Sequence, residues 1–362
     1  MKKILHITEC LGSGVLSYIR NLSSWQVNKY QIVIAYSTRP ETPANFQDLF
    51  DTRIKFIRVN GFTREIEPVN DWKAFRHIRK IVRDEKPDLV HLHSTKAGVI
   101  GRWAIDSRKY IIFYSPHAYS FLMENCPNWK RSIYKTIERL SDRKRVLTIA
   151  DSDGEYIAGN DVARNRKCIQ NGIDTKELDL IINQCKRDTE KAKKEVVVCN
   201  LGKVVSQKNP KMFNEIAKKL PDYKFLWIGA GPLEQELDSS NIKVTGWIKK
   251  EDAIKTIVDS DIFLFTSSWE SLSIALMEAM YAAKPCVASK CDGNKDVIVS
   301  GKNGYLCNTV DDYVKTIEML IKDNDLQKRI GAHARQDILL KHNNSLLEEK
   351  YTELFNEIGF IN

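Results

Sequence analysis

Two glutamates, Glu270 and Glu278, are eight positions apart in the stretch 265–304. Their carboxylates are groups that could bind a polar substrate. Glu278 falls on an amphipathic segment that we predict to be a helix beginning near Leu272. The first amides of a helix have no intrahelical partners and, together with the helix dipole, attract a diphosphate. A carboxylate just before the helix can accept hydrogen bonds from sugar hydroxyls, and one two turns into it can bind a ribose. The pattern therefore favours a pocket for a diphosphate and its attached sugars.

The elements that must position these residues follow an alternating pattern. Short β-rich runs alternate with helical segments, which is typical of parallel α/β architecture, and a length of 362 residues favours two domains. We predict an amino-terminal domain at 1–178, a carboxy-terminal domain at 195–340 and a final helix within 341–362. The charged segment 181–195 is the best linker candidate, and its sequence also allows helical pieces within it. Predicted strands are 3–8, 31–36, 54–59, 89–93, 110–115, 146–150, 195–201, 223–228, 242–245, 262–265 and 285–288.

Short motifs are distributed along the whole chain in a fixed order. They are His91-Leu92-His93-Ser94-Thr95-Lys96-Ala97-Gly98, Ser115-Pro116-His117, Asn171-Gly172-Ile173-Asp174, Gly202-Lys203 through Lys208, Ile228-Gly229-Ala230-Gly231-Pro232, Gly246-Trp247, Glu270-x7-Glu278 with Ala279-Met280 and Pro285, and Gly301-x-x-Gly304-Tyr305. In order and spacing these motifs resemble the family 4 glycosyltransferases, which are retaining enzymes. The motifs His91–Gly98 and Ser115-Pro116-His117 resemble a subgroup that makes bacterial surface polysaccharides such as capsules and O-antigens.

The resemblance implies a fold and an activity. The fold is GT-B, an α/β fold of two Rossmann-like domains that face each other across a cleft, with the last helix packing back on the amino-terminal domain. The amino-terminal domain is expected to bind the acceptor and the carboxy-terminal domain the nucleotide sugar. The expected activity is transfer of a hexose, with retention, from a nucleotide-diphosphate sugar to a lipid-linked or glycan acceptor. Uridine is the default base, and guanosine is the alternative.

The resemblance also implies roles for individual residues. Glu270 and His117 are the expected catalytic residues, with Glu270 on the donor sugar and His117 near the reacting carbon. Glu278 would bind the nucleotide ribose, and Lys203 and Lys208 would neutralise the diphosphate. The full donor-binding set that we expect is Gly12, Gly14, Lys203, Lys208, Gly229, Ser271, Leu272, Ser273 and Glu278.

The expected chemistry needs no cofactor and no metal. Breaking the anomeric C–O bond leaves an oxocarbenium-like centre and a departing diphosphate, and two lysines and a helix terminus can stabilise the developing negative charge. The family suggests departure and attack on the same face of the sugar, so no covalent nucleophile is assigned. Asp151-Ser152-Asp153 is interpreted as a helix cap and not as a metal site. Of the two histidines on the strand 89–93, His93 is nearer the strand end and His91 is expected in the core.

Several residues depart from the family pattern, and all of them affect donor recognition. Ser271 stands where glycine is usual, and Ser273 stands where proline is usual. Lys203 replaces the commoner arginine and loses its bidentate fork. Asp296 replaces a glutamate. The donor sugar therefore stays open.

Positive charge is concentrated in the first half of the chain. The net charge is +9 overall, and residues 1–170 carry +11 of charge against −2 for the remainder. Basic side chains with interleaved aromatics around 129–145 and in the helix 72–83 predict contact with an anionic membrane surface. Nucleic acid is not an expected partner, because no nucleic-acid-binding signature accompanies the charge.

The cysteines and the hydropathy predict a cytoplasmic protein. The eight cysteines form no Cys-x-x-Cys pair, which is typical of a reducing compartment. The start of the sequence lacks the apolar region of a signal peptide, and no stretch approaches the roughly 20 apolar residues of a membrane span. We expect a peripheral location at the inner face of the cell membrane.

The residues leave three alternatives to the glycosyltransferase function. A sugar-nucleotide epimerase of the same fold would hold the same donor but need no acceptor. A non-catalytic subunit of a polysaccharide assembly complex would bind the donor without turnover. A dinucleotide oxidoreductase is disfavoured, because Ser17 stands where the third glycine of G-x-G-x-x-G belongs.

Overall fold

Runs of β-branched and aromatic residues form the strands, and helices with one apolar face connect them. The computed structural model describes residues 1–39, 42–63, 65–123, 126–187 and 195–361. The strands are β1 (Lys3–Thr8), β2 (Gln31–Tyr36), β3 (Lys55–Arg58), β4 (Leu89–His93), β5 (Ile111–Ser115), β6 (Val146–Ala150), β7 (Arg166–Cys168), β8 (Val197–Leu201), β9 (Lys224–Ile228), β10 (Ile242–Val244), β11 (Ile262–Phe265), β12 (Cys286–Ser289) and β13 (Tyr305–Cys307). The α-helices are α1 (Ser13–Gln26), α2 (Pro68–Glu85), α3 (Thr95–Ala104), α4 (Asn128–Ser141), α5 (Asp153–Ala158), α6 (Thr175–Arg187), α7 (Pro210–Lys219), α8 (Lys250–Asp259), α9 (Ile274–Tyr281), α10 (Asp292–Lys295), α11 (Val310–Lys322), α12 (Asn324–Lys341) and α13 (Asn344–Glu357).

The chain forms two units. Unit 1 comprises Met1–Asn171 and Leu347–Asn362, and unit 2 comprises Gly172–Leu346. The α/β class with two parallel sheets is confirmed. Among the described residues, no helix combines the length and the apolar character needed to cross a bilayer.

Unit 1 contains a seven-stranded parallel sheet in the order β3-β2-β1-β4-β5-β6-β7. Alternate residues of a strand point to opposite faces. Ile4 therefore packs with residues of α1 and α13, whereas Leu5 packs with residues of α2 and α3. The strand order reverses between β1 and β4, and ligands of open α/β sheets bind at the carboxyl ends of the strands at such a switch point.

The last helix belongs to the core of unit 1. Leu347, Tyr351, Leu354 and Phe355 of α13 are buried there, and the Tyr351 hydroxyl lies 2.6 Å from that of Tyr18 on α1. Burying four such side chains contributes on the order of 6–12 kcal/mol before conformational entropy is counted.

Unit 2 contains a six-stranded parallel sheet in the order β10-β9-β8-β11-β12-β13. Its strand order reverses between β8 and β11. Of the predicted donor residues, Lys203 and Lys208 follow β8, and Ser271, Leu272 and Ser273 follow β11, so the switch point of unit 2 carries the candidate site.

Some boundaries differ from the sequence predictions. The segment proposed as a linker is helical through Arg187, and Leu178, Ile181 and Ile182 of α6 are buried in the core of unit 2; the rest of that segment, 188–194, lies outside the described residues. Helix α9 begins at Ile274 rather than near Leu272, because the Ser273 side chain caps it. The strands β7 and β13, of three residues each, were not predicted from the sequence.

Candidate active site

An ion pair lies at the switch point of unit 2. The Lys208 Nζ lies 2.5 Å from Glu270 Oε1, and the two side chains are only 15% and 9% exposed. Lys208 ends a 3-10 turn after β8, and Glu270 follows β11. The Thr266 hydroxyl donates to the Lys208 carbonyl at 2.8 Å, which ties the two loops together. A cation for phosphate and an acceptor for hydroxyl groups are thus held side by side.

The start of α9 is built from the predicted residues Ser271, Leu272 and Ser273. Ser273 is the N-cap and accepts from the Leu276 amide at 3.4 Å. Leu272 is buried. A Cβ at Gly293 would lie 1.8 Å from the Ser271 carbonyl oxygen, so the backbone before the helix is packed directly against the start of α10. Only glycine allows that approach.

Glu278 lies in the last turn of α9, and its carboxylate is engaged by a lysine that the sequence did not predict. Lys250, the first residue of α8, lies 3.1 Å from Glu278 and 2.7 Å from Glu177. Burial opposes the charge of Lys250, but the two carboxylates outweigh burial and raise its pKa. Glu278 is therefore held in place by a cation that a second carboxylate shares.

Gly229 lets two strand ends approach closely. Its φ is +135°, and a Cβ there would lie 2.2 Å from the Gly202 carbonyl oxygen. Its amide donates to the Thr245 hydroxyl at 3.2 Å. Gly229 thereby fixes the path of the loop that carries Lys203, which is partly buried.

Two buried polar side chains flank the same switch point. Asn200 on β8 and Ser267 after β11 have no exposed surface. Within the part of the chain that the structure describes, neither the Asn200 amide nor the Ser267 hydroxyl has a hydrogen-bond partner. Buried polar groups are almost always satisfied, so these two are available to a ligand or to water.

In unit 1, His117 is held by an acid. It follows β5, and its Nδ1 bonds to Asp151 at the end of β6. Both His117 and Ala118 have positive φ, +54° and +74°. Left-handed backbone at residues other than glycine costs free energy and is often found at functional sites. Burial opposes charge on His117, but the Asp151 carboxylate and its hydrogen bond, with Glu155, raise the pKa of the imidazole.

Glu155 secures the strained loop. One carboxylate oxygen accepts from the Ala118 amide at 2.6 Å, and the other accepts from the Asp151 amide at 2.9 Å. Burial, and then the negative charge of Asp151, raise the pKa of Glu155 to about 7. The cap interpretation of this segment is confirmed for Ser152, which accepts from the Glu155 amide at 3.1 Å.

The second ring nitrogen of His117 faces the sheet. His117 Nε2 lies 3.1 Å from His93 Nδ1, and His93 Nε2 lies 3.0 Å from His6 Nδ1. His6 Nε2 lies 2.9 Å from Gln26 Oε1 on α1. Both ring nitrogens of His117 are therefore bonded within unit 1. His91, expected in the core, is 1% exposed and bonds to Ser115.

His6, His91 and His93 lie close enough together to bind a metal, their ligand atoms all within 4.8 Å of one another. His6 and His93 already use both ring nitrogens in hydrogen bonds, and all three rings are buried. Metal binding would break those bonds.

Gly12 and Gly14 lie at the start of α1, after β1. Gly12 is the N-cap in extended conformation and is buried. A Cβ at Gly14 would meet nothing within 4 Å. The position is open, and no packing within unit 1 requires glycine there.

The predicted residues thus fall into two groups. Unit 2 holds Lys203, Lys208, Gly229, Glu270, Ser271, Leu272, Ser273 and Glu278, and unit 1 holds Gly12, Gly14 and His117. The sequence reasoning missed Lys250, Asp151, Glu155, His6 and Gln26 as partners of these residues. Of these, only Asp151 and Glu155 carried a local signal, the first within the Asp151-Ser152-Asp153 motif and the second two residues after it.

The comparisons with known proteins cover both units. The family model described as Glycosyltransferase Family 4 matches residues 12–177, and the model described as Glycosyl transferases group 1 matches residues 182–337. The chain is 26% identical to the UDP-Gal:alpha-D-GlcNAc-diphosphoundecaprenol alpha-1,3-galactosyltransferase of Escherichia coli, over 77% of this chain and 78% of that protein. It is 23% identical to the capsular polysaccharide biosynthesis glycosyltransferase CapM of Staphylococcus aureus, over 83% and 85%.

The fold is shared with solved structures. Sucrose-phosphate synthase from Thermosynechococcus elongatus superimposes with a TM-score of 0.83 at 14% identity, over 99% of each chain. The two family models together span most of the chain, and the relatives match over more than three quarters of its length. The chain therefore belongs to the family 4 glycosyltransferases and has the GT-B fold.

Proposed function

We propose that the protein transfers a sugar from a nucleotide-diphosphate sugar to a lipid-linked or glycan acceptor during synthesis of a bacterial surface polysaccharide. The observation that carries the proposal is the Lys208–Glu270 pair at the switch point of unit 2. The lysine supplies a positive charge for a phosphate, and the carboxylate accepts hydrogen bonds from sugar hydroxyls.

The residues of unit 2 account for the departure of the nucleotide. As the anomeric C–O bond breaks, negative charge develops on the diphosphate. Lys203, Lys208 and the amino terminus of α9 stabilise that charge, so the mechanism needs no metal. Glu278 binds the ribose. The acceptor hydroxyl attacks the same face of the sugar, and its proton passes to the departing phosphate oxygen, which gives retention without a covalent enzyme intermediate.

His117 contributes from unit 1. Both of its ring nitrogens are already bonded, to Asp151 and to His93. It therefore acts through its charge and through the backbone of its loop, and it does not remove the proton of the acceptor hydroxyl.

A uridine nucleotide and a polyprenyl-diphosphate acceptor fit the relatives best. The relative from Escherichia coli is named for UDP-galactose and a diphosphoundecaprenol-linked sugar, and the relative from Staphylococcus aureus is named for capsular polysaccharide. Such an acceptor is anchored in a membrane, so the enzyme must approach a lipid surface.

We propose that α2, α3 and α4 of unit 1 bind the anionic lipid surface at the inner face of the cell membrane. Helix α3 packs against both neighbours, and each of the three helices exposes one tryptophan: Trp72 is 59%, Trp103 is 54% and Trp129 is 66% exposed. Tryptophan prefers the membrane interface, and each nearby basic residue adds about 1 kcal/mol on an anionic surface. Basic residues on or next to these helices are Lys73, Arg76, Arg79, Lys80, Arg83, Lys130, Arg131, Lys135, Arg139, Arg143, Lys144 and Arg145.

The donor is tested by thermal shift. A ligand at about 100 times its Kd should stabilise the fold by about 2.7 kcal/mol. We expect stabilisation by UDP and UDP-sugars, and loss of that effect in Glu278→Ala. Absence of stabilisation by any nucleotide or nucleotide sugar contradicts the proposal.

Turnover is tested with polyprenyl-diphosphate sugars in the presence of EDTA. We expect a glycosylated lipid whose new linkage keeps the anomeric configuration of the donor, as measured by NMR. Conversion of the donor without an acceptor would identify an epimerase. Donor binding without turnover on any acceptor would indicate a binding subunit. Activity that EDTA abolishes and that returns with a divalent ion would show that the metal-independent mechanism is wrong.

Membrane contact is tested by sedimentation with vesicles containing anionic phospholipid. Trp129→Ala together with Trp72→Ala should reduce the bound fraction several-fold, whereas Trp247→Ala, a 58% exposed tryptophan in unit 2, should not. Equal binding of all variants, or preference for nucleic acid over vesicles, contradicts the membrane proposal.

A further inference from the structure

A continuous chain of hydrogen bonds runs from Asp151 through three histidines to Gln26. The links are Asp151–His117, His117–His93 at 3.1 Å, His93–His6 at 3.0 Å and His6–Gln26 at 2.9 Å. His6 and His93 have no exposed surface, and Gln26 is 1% exposed. The chain therefore lies in the interior of unit 1, between the sheet and α1, and ends at the strained loop of His117.

Contacts between the aromatic rings hold the hydrogen-bonded histidines in place. The His93 and His117 rings are 5.3 Å apart and nearly parallel, at 4°, and the Tyr18 ring lies edge-on to His117 at 4.6 Å. Tyr18 is in turn bonded to Tyr351 on α13. Elements from both ends of the sequence therefore fix the geometry of this interior.

We propose that His93, His6 and Gln26 are positioning residues that act through His117, because the direction of their hydrogen bonds sets whether the His117 imidazole carries one proton or two. A neutral imidazole has one donor and one acceptor nitrogen, so each link of the chain constrains the next.

Two proton arrangements satisfy every link when Asp151 is ionised and both His6 and His93 are neutral. In the first, Gln26 accepts through its oxygen, His6 and His93 are each protonated on Nε2, and His117 is protonated on both nitrogens. In the second, the Gln26 amide is turned so that its NH₂ donates, His6 and His93 are each protonated on Nδ1, and His117 carries only its Nδ1 proton, which it donates to Asp151. The first arrangement holds one proton more than the second.

The proton count balances along the chain. A proton that binds His6 Nε2 in the second arrangement displaces the Nδ1 proton of His6 to His93 Nε2. The Nδ1 proton of His93 then moves to His117 Nε2. Both interior histidines change tautomer, the Gln26 amide turns over, and the positive charge ends on His117.

The Gln26 oxygen faces His6 Nε2, which is the amide orientation that the first arrangement requires. The surroundings favour the charge at His117 and not at the other two rings. Burial lowers the pKa of His6 to about 4, and burial lowers that of His93, with smaller effects of the neighbouring imidazoles. The groups that face His117 are Asp151 from β6, Glu155 from α5, His93 from β4 and Tyr18 from α1.

The consequence for catalysis rests on the proposed function. A doubly protonated His117 places a fixed positive charge at the carboxyl end of β5, where an anionic substrate is stabilised. The neutral form does not supply this charge. The rate of sugar transfer should therefore fall as the pH rises through the titration midpoint of the His117 imidazole. That midpoint depends on buried residues that cannot touch substrate.

The direct test is NMR of the full chain labelled with ¹⁵N at histidine, which distinguishes protonated from bare ring nitrogens. As His117 loses its Nε2 proton with rising pH, His93 and His6 should change from the Nε2–H to the Nδ1–H tautomer at the same midpoint. In His93→Phe, His6 should no longer change at the midpoint of His117. The matched control is His91→Phe, a histidine on the same strand that bonds to Ser115 outside the chain, and it should keep the coupling.

Unchanged tautomers of His93 and His6 while His117 titrates would overturn the proposal. If His117 stays doubly protonated over the stable pH range, Asp151→Asn removes its counter-charge and brings the midpoint into range, where the same coupling must appear. If it does not, the proposal is wrong.

A kinetic test separates this proposal from the proposed function. The pH at which kcat/KM for transfer declines on the alkaline side should shift in His93→Phe and should stay unchanged in His91→Phe. An inactive protein that nevertheless shows coupled tautomers would contradict the proposed function alone. An active protein with uncoupled tautomers would contradict the positioning role alone.

Discussion

The Lys208 ammonium lies 2.5 Å from the Glu270 carboxylate, and this pair joins the loop after β8 to the loop after β11. The two charges neutralise each other in a site that is mostly shielded from solvent. Removing one partner of such a pair leaves the other uncompensated, which is costly when the pair is buried. On the proposed function a diphosphate would supply a replacement partner for Lys208, so the two residues should respond differently to substitution.

We expect Glu270→Gln to retain UDP binding and to lose transfer by about 100-fold or more. Lys208 keeps its charge in this variant, so UDP should raise the melting temperature more than it does in the unchanged protein. In Lys208→Met, loss of a charge-assisted hydrogen bond of about 1.5–3 kcal/mol should raise the Kd for UDP by about 10- to 150-fold. Isothermal titration calorimetry measures the Kd for UDP in both variants, and thermal shift measures the melting temperature. Asp311→Asn, which breaks an exposed pair with Lys219, is the control. If Glu270→Gln loses UDP as Lys208→Met does, Glu270 serves only to hold the lysine.

Glu278 should be separable from the lysine that it contacts. We expect Glu278→Gln to weaken UDP binding by about 10-fold or more, because the variant lacks the buried carboxylate that we propose accepts from the ribose hydroxyls. Glu177→Gln removes the other partner of Lys250 and should leave the Kd within about threefold. Thermal shift with UDP measures both. Equal weakening in the two variants would mean that the pairing of Lys250, and not Glu278 itself, controls binding.

Gly14 should tolerate a side chain structurally but not functionally. An added Cβ meets no atom within 4 Å, and alanine is the better helix former by up to about 1 kcal/mol. We therefore expect Gly14→Ala to have an unchanged or higher melting temperature and a kcat/KM for transfer reduced by about 10-fold or more. Ser17→Ala on the same helix is the control. Full activity of Gly14→Ala would remove Gly14 from the donor-binding set.

Glu155 should make unit 1 less stable as the pH rises. Its pKa in the folded protein is about 7, above the value of 4.5 for an exposed glutamate. The folded state therefore binds more protons than the unfolded state between these values, and stability is lost as the pH rises from about 4.5 to about 7. The loss is on the order of 3 kcal/mol at one unit of pKa per 1.36 kcal/mol.

We expect this decline to be absent in Glu155→Gln, which does not ionise. Hydrogen exchange of the β6 and α5 amides at pH 5 and pH 8, compared between the two proteins, measures the difference. His6, whose lowered pKa makes stability rise with pH between about 4 and 6.5, contributes equally to both proteins and cancels. Parallel pH dependences in the two proteins would contradict the assignment to Glu155.

Most strands followed directly from local sequence pattern. The predicted strands 3–8, 31–36, 89–93, 146–150 and 262–265 have the same bounds as the structure gives them. Strands of a parallel sheet that is covered on both faces are nearly continuous apolar runs, and such runs are visible without any knowledge of their neighbours. The edge strands β7 and β13 were missed; each has three residues, and β7 is Arg-Lys-Cys, which is not an apolar run.

The segment 181–187 shows where composition misleads. It is the first part of the predicted linker 181–195, which is rich in charged residues. Ile181, Ile182 and Cys185 nevertheless lie on one face of α6 and are buried in unit 2. Periodicity carried the correct signal there, and average polarity concealed it.

The sequence alone determined which residue types follow each strand, and the order of those motifs determined the family. It did not determine what those residues bond to. His6 and His93 are 87 positions apart, and Lys208 and Glu270 are 62 positions apart. A hydrogen bond or ion pair between such residues depends on the strand order and register that bring their backbones together, and no local pattern encodes that. Three features were therefore decided only by the tertiary structure. They are the hydrogen bonding of both ring nitrogens of His117, the pairing of Lys250 with two glutamates, and the chain of hydrogen bonds that ends at Gln26.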